Sequence, residues 1–190
     1  MKNIFNNLKN SVGKYFYNRK ISKLRRQIKA LNLQNVKTAG VILEADYKEN
    51  LKLLKELRKH LPEDATIIAT AYIHDNKKNN SYIGDKFFNY VKDEDFDFFM
   101  RPKSGSINDF IQKKFDILFV FAYNYYFAIE LMTGLSKAGF KVGQSGVYEK
   151  NLDFYIDTKT KDLDVLINQI VNYLNSINMT DTKTPQKLSV

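Results

Sequence analysis

Residues 117–122 read ILFVFA, six apolar residues in succession with no polar alternation. A short run of this kind is typical of a strand covered on both faces, as in the middle of a parallel sheet. Residues 38–45 (TAGVILEA) and 66–73 (TIIATAYI) are similar short runs that predict two more buried strands. We therefore expect a sheet whose centre includes residues 117–122.

Helical patterns alternate with these strands along the chain. Asp46 and Glu49 form a capping-box pattern before a leucine-rich helix, which Pro62 ends. Further helices are predicted over about 106–114, 125–138 and 162–177, and short strands over 87–91, 140–142 and 152–156. This order predicts an α/β fold, a Rossmann-like three-layer sandwich with a mostly parallel sheet, preceded by an N-terminal basic helical arm.

The positive charge is concentrated at the start of the chain. The sequence holds 30 Lys and Arg against 21 Asp and Glu, a formal net charge of +9. Residues 1–30 contain nine basic residues and no acidic one, so the rest of the chain is formally neutral. We predict a basic helical arm over 1–34, a Rossmann-like α/β domain over 35–178 and a disordered polar tail over 179–190.

The arm carries two apolar stripes at helical spacing. The first stripe comprises Phe5, Leu8, Val12 and Phe16, and the second comprises Ile21, Leu24, Ile28 and Leu31. On one straight helix the two stripes would face different sides, so we expect a bend near Asn18 or two packing partners. The cations predicted to contact an anionic surface are Lys9, Lys14, Arg19, Lys20, Lys23, Arg25 and Arg26. The partner would be an anionic membrane surface or nucleic acid. In the alternative, the arm covers the sheet or forms a homodimer while its charges face water.

Polar residues follow the predicted strands. Ligands of open α/β sheets bind beyond the carboxyl ends of the strands. The residues at these ends are Asp46, His74, Asp75, Tyr123, Asn124, Gln144 and Ser145. A second group, which precedes a helix and would offer cations and hydroxyls to a phosphate or carboxylate, is Arg101, Lys103, Ser104 and Ser106. Helix capping and ordinary loop polarity are the alternative explanations for both groups.

Several function classes lack their sequence signatures. The chain has no Cys, which excludes disulfides and thiolate sites, and it has no Walker, GxGxxG, GxSxG or HExxH motif. The acidic run at 93–97 is a weak candidate for a hard cation and is more simply a solvated loop. No cofactor follows from the sequence, and the missing signatures favour a binding protein over an enzyme. No apolar run reaches membrane-spanning length, so we expect a cytoplasmic protein, with peripheral membrane attachment as an alternative.

One stretch carries a family resemblance. Residues 115–146 read FDILFVFAYNYYFAIELMTGLSKAGFKVGQSG. With KTAGVILEAD at 37–46, FFMRPKSGSINDFI at 98–111 and NLDFYIDT at 151–158, the chain resembles a family of uncharacterised bacterial proteins typical of Bacteroidetes, known as a domain of unknown function. More distantly, 115–146 resembles the acceptor-side domain of lipopolysaccharide heptosyltransferases. Both resemblances imply a Rossmann-like fold, and neither implies an activity for this chain.

Two hypotheses about function remain. The favoured one is a non-catalytic binding or interaction protein whose basic arm docks on an anionic surface or partner. The alternative is a small nucleotide- or phosphosugar-binding enzyme with its site at the carboxyl ends of the strands.

Overall fold

The computed structural model describes residues 2–44, 47–73, 87–158 and 162–176, with residues 2–10 and 47–49 described by their backbone alone. Six strands form one all-parallel sheet in the order β3-β2-β1-β4-β5-β6. The strands are β1 Thr38–Glu44, β2 Thr66–Tyr72, β3 Phe88–Val91, β4 Ile117–Phe121, β5 Phe140–Gln144 and β6 Phe154–Ile156. The helices are α1 Lys2–Ile21, α2 Tyr47–Lys59, α3 Gly105–Gln112, α4 Phe127–Leu135 and α5 Leu163–Ser176.

The predicted α/β class, a parallel sheet covered by helices in a Rossmann-like sandwich, is confirmed. β4 is buried at all five positions and pairs with β1 and β5 at the centre of the sheet, as its uninterrupted apolar run predicts. The strand order reverses between β1 and β4, because β2 and β3 extend from β1 on one side and β5 and β6 extend from β4 on the other. This reversal is the switch point at which open α/β sheets generally place their ligands.

Each face of the sheet has its own apolar core. On one face, Phe119 and Phe121 of β4 pack with the leucines of α2 and the apolar side of α5. On the other face, Leu118 and Val120 pack with α3, α4 and the Tyr17 ring of α1. The alternation along a strand therefore divides the chain into three layers, with α1 lying in the same layer as α3 and α4.

The amino-terminal helix α1 is docked on the body. Tyr17 is only 4% exposed, and its hydroxyl donates to the side-chain oxygen of Asn151 at 2.9 Å. Gly134 of α4 gives that ring its space, since a Cβ there would lie 2.0 Å from the Tyr17 hydroxyl. Gly13 of α1 likewise leaves space for the Met100 side chain, which a Cβ at residue 13 would meet. Met100 itself has a left-handed backbone conformation, with a φ of 56°.

The second apolar stripe of the arm does not form a helix, so that prediction is wrong. Residues 24–32 have no regular secondary structure. Ile21 packs in the core of α1, α3 and α4, whereas Leu31 packs in the core of α2 and α5. The chain must therefore pass around the sheet between these two points, and Lys29 N–H bonds the Gly139 carbonyl on the way, at 3.0 Å. This tertiary requirement outweighs the local helical spacing. We call residues 22–30 the connector.

Candidate functional site

The cations of the arm lie on the outside of the molecule. Among the predicted contacts, five are exposed, namely Lys14, Arg19, Lys20, Lys23 and Arg25, and Lys29 is exposed as well. None of the ion pairs between described residues involves any of these six side chains. The Lys14 ammonium lies 5.4 Å from the centre of the Tyr125 ring, a cation–π distance. The side chain of Lys9 lies outside the described residues.

Arg26 has a different role from its neighbours. Its guanidinium pairs with the Asp153 carboxylate and donates to the Ala138 carbonyl at 3.0 Å. The Arg26 side chain is only 15% exposed, so its charge is used inside the protein. The prediction that Arg26 contacts an external anion is therefore replaced by a structural role, in which it fastens the connector to the starts of β5 and β6.

At the switch point, the carboxyl ends of β1 and β4 are bridged by protein groups. The Glu44 carboxylate accepts from the backbone N–H of Asn124 and, at 2.9 Å, from its side-chain amide. Gln144 donates to the Ala122 carbonyl at 3.3 Å, while its own side-chain oxygen is buried with no hydrogen-bond partner. The structure thus brings Asn124 and Gln144 to the same edge, as predicted, and the Glu44 carboxylate occupies the Asn124 amide.

Ser145 belongs to the same edge and is also engaged. Its hydroxyl donates to the Glu149 carboxylate at 2.5 Å, and Gly146 N–H donates to the same oxygen at 2.7 Å. Gly146 has a φ of 128°, which favours glycine at this turn. These bonds account for the Ser145 hydroxyl as part of a turn.

A buried carboxylate that sequence analysis missed lies beside this edge. Glu130 of α4 is 2% exposed and accepts from the Tyr125 hydroxyl and from the Lys150 ammonium, the latter at 2.7 Å. Burial, and then the Glu130 carboxylate, raise the pKa of the Tyr125 hydroxyl. Tyr148 lies over Tyr125 with its ring stacked, and its hydroxyl donates to the Asn124 carbonyl at 2.8 Å. The edge is therefore rich in tyrosine hydroxyls and carboxylates.

The residues before α3 are held by one another. Arg101 pairs with Asp97, with 2.6 Å between Nη2 and the carboxylate, and Lys103 donates to the Glu94 carbonyl at 2.9 Å. Ser104 is the N-cap of α3, and its hydroxyl lies 3.2 Å from that of Ser106. The four predicted anion ligands are thus close in space, but both cations already have anionic or carbonyl partners.

Three predicted ligands of the carboxyl edge lie outside the described residues, namely Asp46, His74 and Asp75. Tyr123 is described and half-buried.

Within the described residues, no group of three or more His, Asp or Glu side chains is arranged to hold a metal ion. Among the described helices, none has the length and apolar character that crossing a membrane requires.

Comparison with known proteins identifies the family. A family model described as a family of unknown function, DUF6913, matches residues 9–177. The chain belongs to DUF6913. The match begins within α1 and runs past the end of α5, so the part of α1 from residue 9, the connector and the sheet all belong to this DUF6913 unit. No curated protein and no solved structure matches the chain. The first resemblance seen in the sequence, to a domain of unknown function, is confirmed at this level.

The DUF6913 chain also holds a buried lysine in β5. Lys141 is 2% exposed, and its ammonium donates to the carbonyls of Thr133 and Gly134 at 2.7 and 3.0 Å. It thereby caps the last turn of α4, where carbonyls lack helical partners. Burial, and next the nearby Arg26 charge, lower the pKa of Lys141 to about 7, against the opposing effect of the Asp153 carboxylate.

The lowered pKa predicts a pH dependence of stability. An unfolded lysine titrates near 10.4, so between about pH 7 and 10 the unfolded chain binds more protons than the folded one. The cost of the buried charge is complete below pH 7 and disappears as the pH rises. We expect the free energy of unfolding in urea to rise by about 2 kcal/mol from pH 7 to pH 9.

Lys141→Met removes the titrating group and should flatten this rise. Tyrosines with raised pKa, such as Tyr17 and Tyr148, act above this window and leave it unaffected. Equal slopes for the wild type and Lys141→Met between pH 7 and 9 would show that Lys141 is not the group responsible.

Proposed function

We propose that this protein is a non-catalytic binding protein that docks on a polyanionic surface through the cations of residues 14–29, here called the basic segment. The observation that carries the proposal is the set of six exposed cations in this segment, none of which has an ion-pair partner among the described residues. Clustered positive charge of this kind attracts phosphate- or sulfate-bearing polymers and membranes.

The attachment of the basic segment supports a defined binding surface. The Tyr17–Asn151 hydrogen bond and the fit of Tyr17 against Gly134 hold α1 to α4. The Arg26–Asp153 pair and the Lys29–Gly139 backbone bond hold the connector. Because both parts are fixed, a ligand need not order a loose arm on binding, which lowers the entropic cost of binding.

The charges at the carboxyl edge favour this proposal over a phosphate-binding site at the switch point. Glu44 and Glu130 bring carboxylates to that edge, and Asp93 accepts from the Tyr72 hydroxyl at 2.6 Å beside it. Carboxylates near a nucleotide or sugar phosphate repel it. Arg101 and Lys103, the cations that would offset this repulsion, already have protein partners.

A cytoplasmic location stays a prediction, with peripheral membrane attachment as one form that docking would take. The bacterial origin and the distant heptosyltransferase resemblance also stay predictions. No cofactor or glycosyl-transfer step enters the proposal.

Heparin retention tests the proposed function. We expect Arg19→Gln/Lys20→Gln/Lys23→Gln to elute from heparin at a clearly lower salt concentration than the wild type, because three cations that contact the sulfate groups of heparin are lost. The control is Lys52→Gln/Lys55→Gln/Lys59→Gln, which removes the same charge from exposed positions of α2 on the opposite helical layer. Elution of both triple variants at the same salt concentration would contradict the proposal.

A further inference from the structure

A second group of lysines lies at the edge of the sheet where the strands begin. Its five members come from four separate parts of the chain and are all exposed: Lys29, which also belongs to the basic segment, Lys37, Lys113, Lys114 and Lys137. Backbone hydrogen bonds hold the segments that carry these lysines next to one another. Lys137 N–H donates to the Ile111 carbonyl at 3.1 Å, and Lys29 N–H donates to the Gly139 carbonyl at 3.0 Å. None of the ion pairs between described residues uses any of them. We call these five residues the amino-edge lysines.

The acids nearest to the amino-edge lysines are used inside the protein. The Asp116 carboxylate accepts from the backbone N–H groups of Lys37 and Thr38 at 2.9 and 2.8 Å. Asp153 is 5% exposed and pairs with Arg26. Among the described residues, the exposed acids that border the group are Glu63 and Asp64 on the β2 side and Asp109 one turn earlier on α3. The edge therefore presents positive charge to solvent.

Helix dipoles explain only part of this arrangement. Lys113 is the C-cap of α3 and Lys137 follows the end of α4, where a cation stabilises the helix. Lys37 and Lys29 do not follow a helix end of this kind. The connector and the residue before β1 add positive charge that no helix requires.

The amino-edge lysines continue the basic segment. α1 lies along α4, with Gly13 near Phe127 at the start of α4 and Ile21 near Gly134 at its end. Because α4 follows β4 and leads to β5, its end lies at the amino edge. The exposed cations therefore lie along the outside of α1, then along the connector, and then at the edge of the sheet where β1, β4 and β5 begin.

We propose that the basic segment and the amino-edge lysines form one continuous track for a single strand of nucleic acid, an inference that rests on the proposed function. The strand's phosphates would follow lysines and arginines that are spaced along the track. Tyr15, which is 64% exposed between Lys14 and Arg19, offers a ring on which a base stacks.

The shape of the track favours a single strand over the other polyanions. It turns from the helical layer onto the edge of the sheet, whereas a bilayer presents one surface and duplex DNA is stiff over about 150 base pairs. Membrane binding by an interfacial helix also needs an apolar face in the lipid. In the described part of α1, Tyr17 and Ile21 face the body, which leaves Tyr15 as the one large apolar side chain exposed there.

Fluorescence anisotropy with a labelled DNA strand of about 16 nucleotides tests the inference, since that is the upper site size of a small single-strand-binding fold. Lys113→Gln/Lys114→Gln/Lys137→Gln should weaken binding by roughly 10- to 100-fold and reduce the slope of log K against log salt by about 2. Lys52→Gln/Lys55→Gln/Lys59→Gln is the matched control and should bind like the wild type.

The outcomes separate the two proposals. Unchanged strand binding by the amino-edge triple variant overturns the inference, as does tighter binding of the wild type to the matching duplex or to phosphatidylserine-containing vesicles. In each of those cases, heparin retention that depends on Arg19, Lys20 and Lys23 leaves the proposed function standing. If the triple variant of Arg19, Lys20 and Lys23 is retained on heparin as strongly as the wild type, the proposed function itself is overturned.

Discussion

Gly134→Ala is expected to lower the free energy of unfolding by about 3 kcal/mol and to release α1 from α4. The new methyl group would lie 2.0 Å from the Tyr17 hydroxyl and 2.8 Å from the ring carbon that bears it, so the buried ring must move. That movement breaks the bond to Asn151, whose side-chain nitrogen is already buried without a partner. Urea unfolding measures the loss, and protease cleavage within residues 11–21 reports the release.

Gly105→Ala is the matched control. Gly105 is the first residue of α3, and apart from its chain neighbours and the backbone of its own helix no heavy atom lies within 4 Å of a Cβ built there. Alanine stabilises a helix by roughly 0.5–1 kcal/mol relative to glycine, so this variant should be as stable as the wild type or slightly more stable. If the two alanine variants had equal unfolding midpoints, the close fit between Tyr17 and Gly134 would be refuted.

Asp153→Ala is the second change with a large expected effect, again about 3 kcal/mol. It leaves the largely buried Arg26 guanidinium without its acidic partner and removes the acceptor for Lys141 N–H, which bonds the carboxylate at 2.8 Å. The connector loses the anchor that holds its cations against the sheet. We therefore expect the urea midpoint to fall and heparin elution to move to lower salt, although the net positive charge has increased.

Asp164→Ala provides the comparison for Asp153. Asp164 pairs with Lys52 at 2.6 Å, but both side chains are exposed to solvent. Exposed pairs contribute little, so the unfolding midpoint should stay close to that of the wild type. A midpoint for Asp153→Ala that matched the midpoint for Asp164→Ala would mean that the Arg26 pair does not hold the connector.

The sheet could be predicted from sequence because a strand buried on both faces requires an uninterrupted run of apolar residues. The apolar run at 117–122 became the fully buried β4, and the runs at 38–45 and 66–73 became β1 and β2. The connector could not be predicted in this way. Leu24, Ile28 and Leu31 have helical spacing, but the path between the two cores is set by groups distant in sequence, such as Gly139 and Asp153.

The charged residues inside apolar segments were a signal that sequence analysis did not use. Glu130 lies in the stretch FAIELMTGL of α4, and Lys141 lies in FKVGQ of β5. A charge in such a segment must find a partner when it is buried. The sequence alone could not identify those partners, because Lys150 and the carbonyls of α4 meet them only in the folded chain.

The amino-edge lysines needed the topology before they could be recognised. Lys37 directly precedes β1, Lys114 precedes β4 and Lys137 precedes β5. In a parallel sheet all strands begin at one edge, so residues before different strands become neighbours. Sequence analysis assigned the excess positive charge to residues 1–30 alone. The fold adds exposed lysines at the edge of the sheet where the strands begin.

Hydrogen–deuterium exchange with and without the single-stranded DNA tests most directly whether the strand binds along the basic segment and the amino-edge lysines. The account predicts slower exchange upon binding in residues 14–30, 111–116 and 136–140, with residues 144–149 at the carboxyl edge unchanged. Slower exchange confined to the carboxyl edge would contradict it, because the ligand would then occupy the switch point instead.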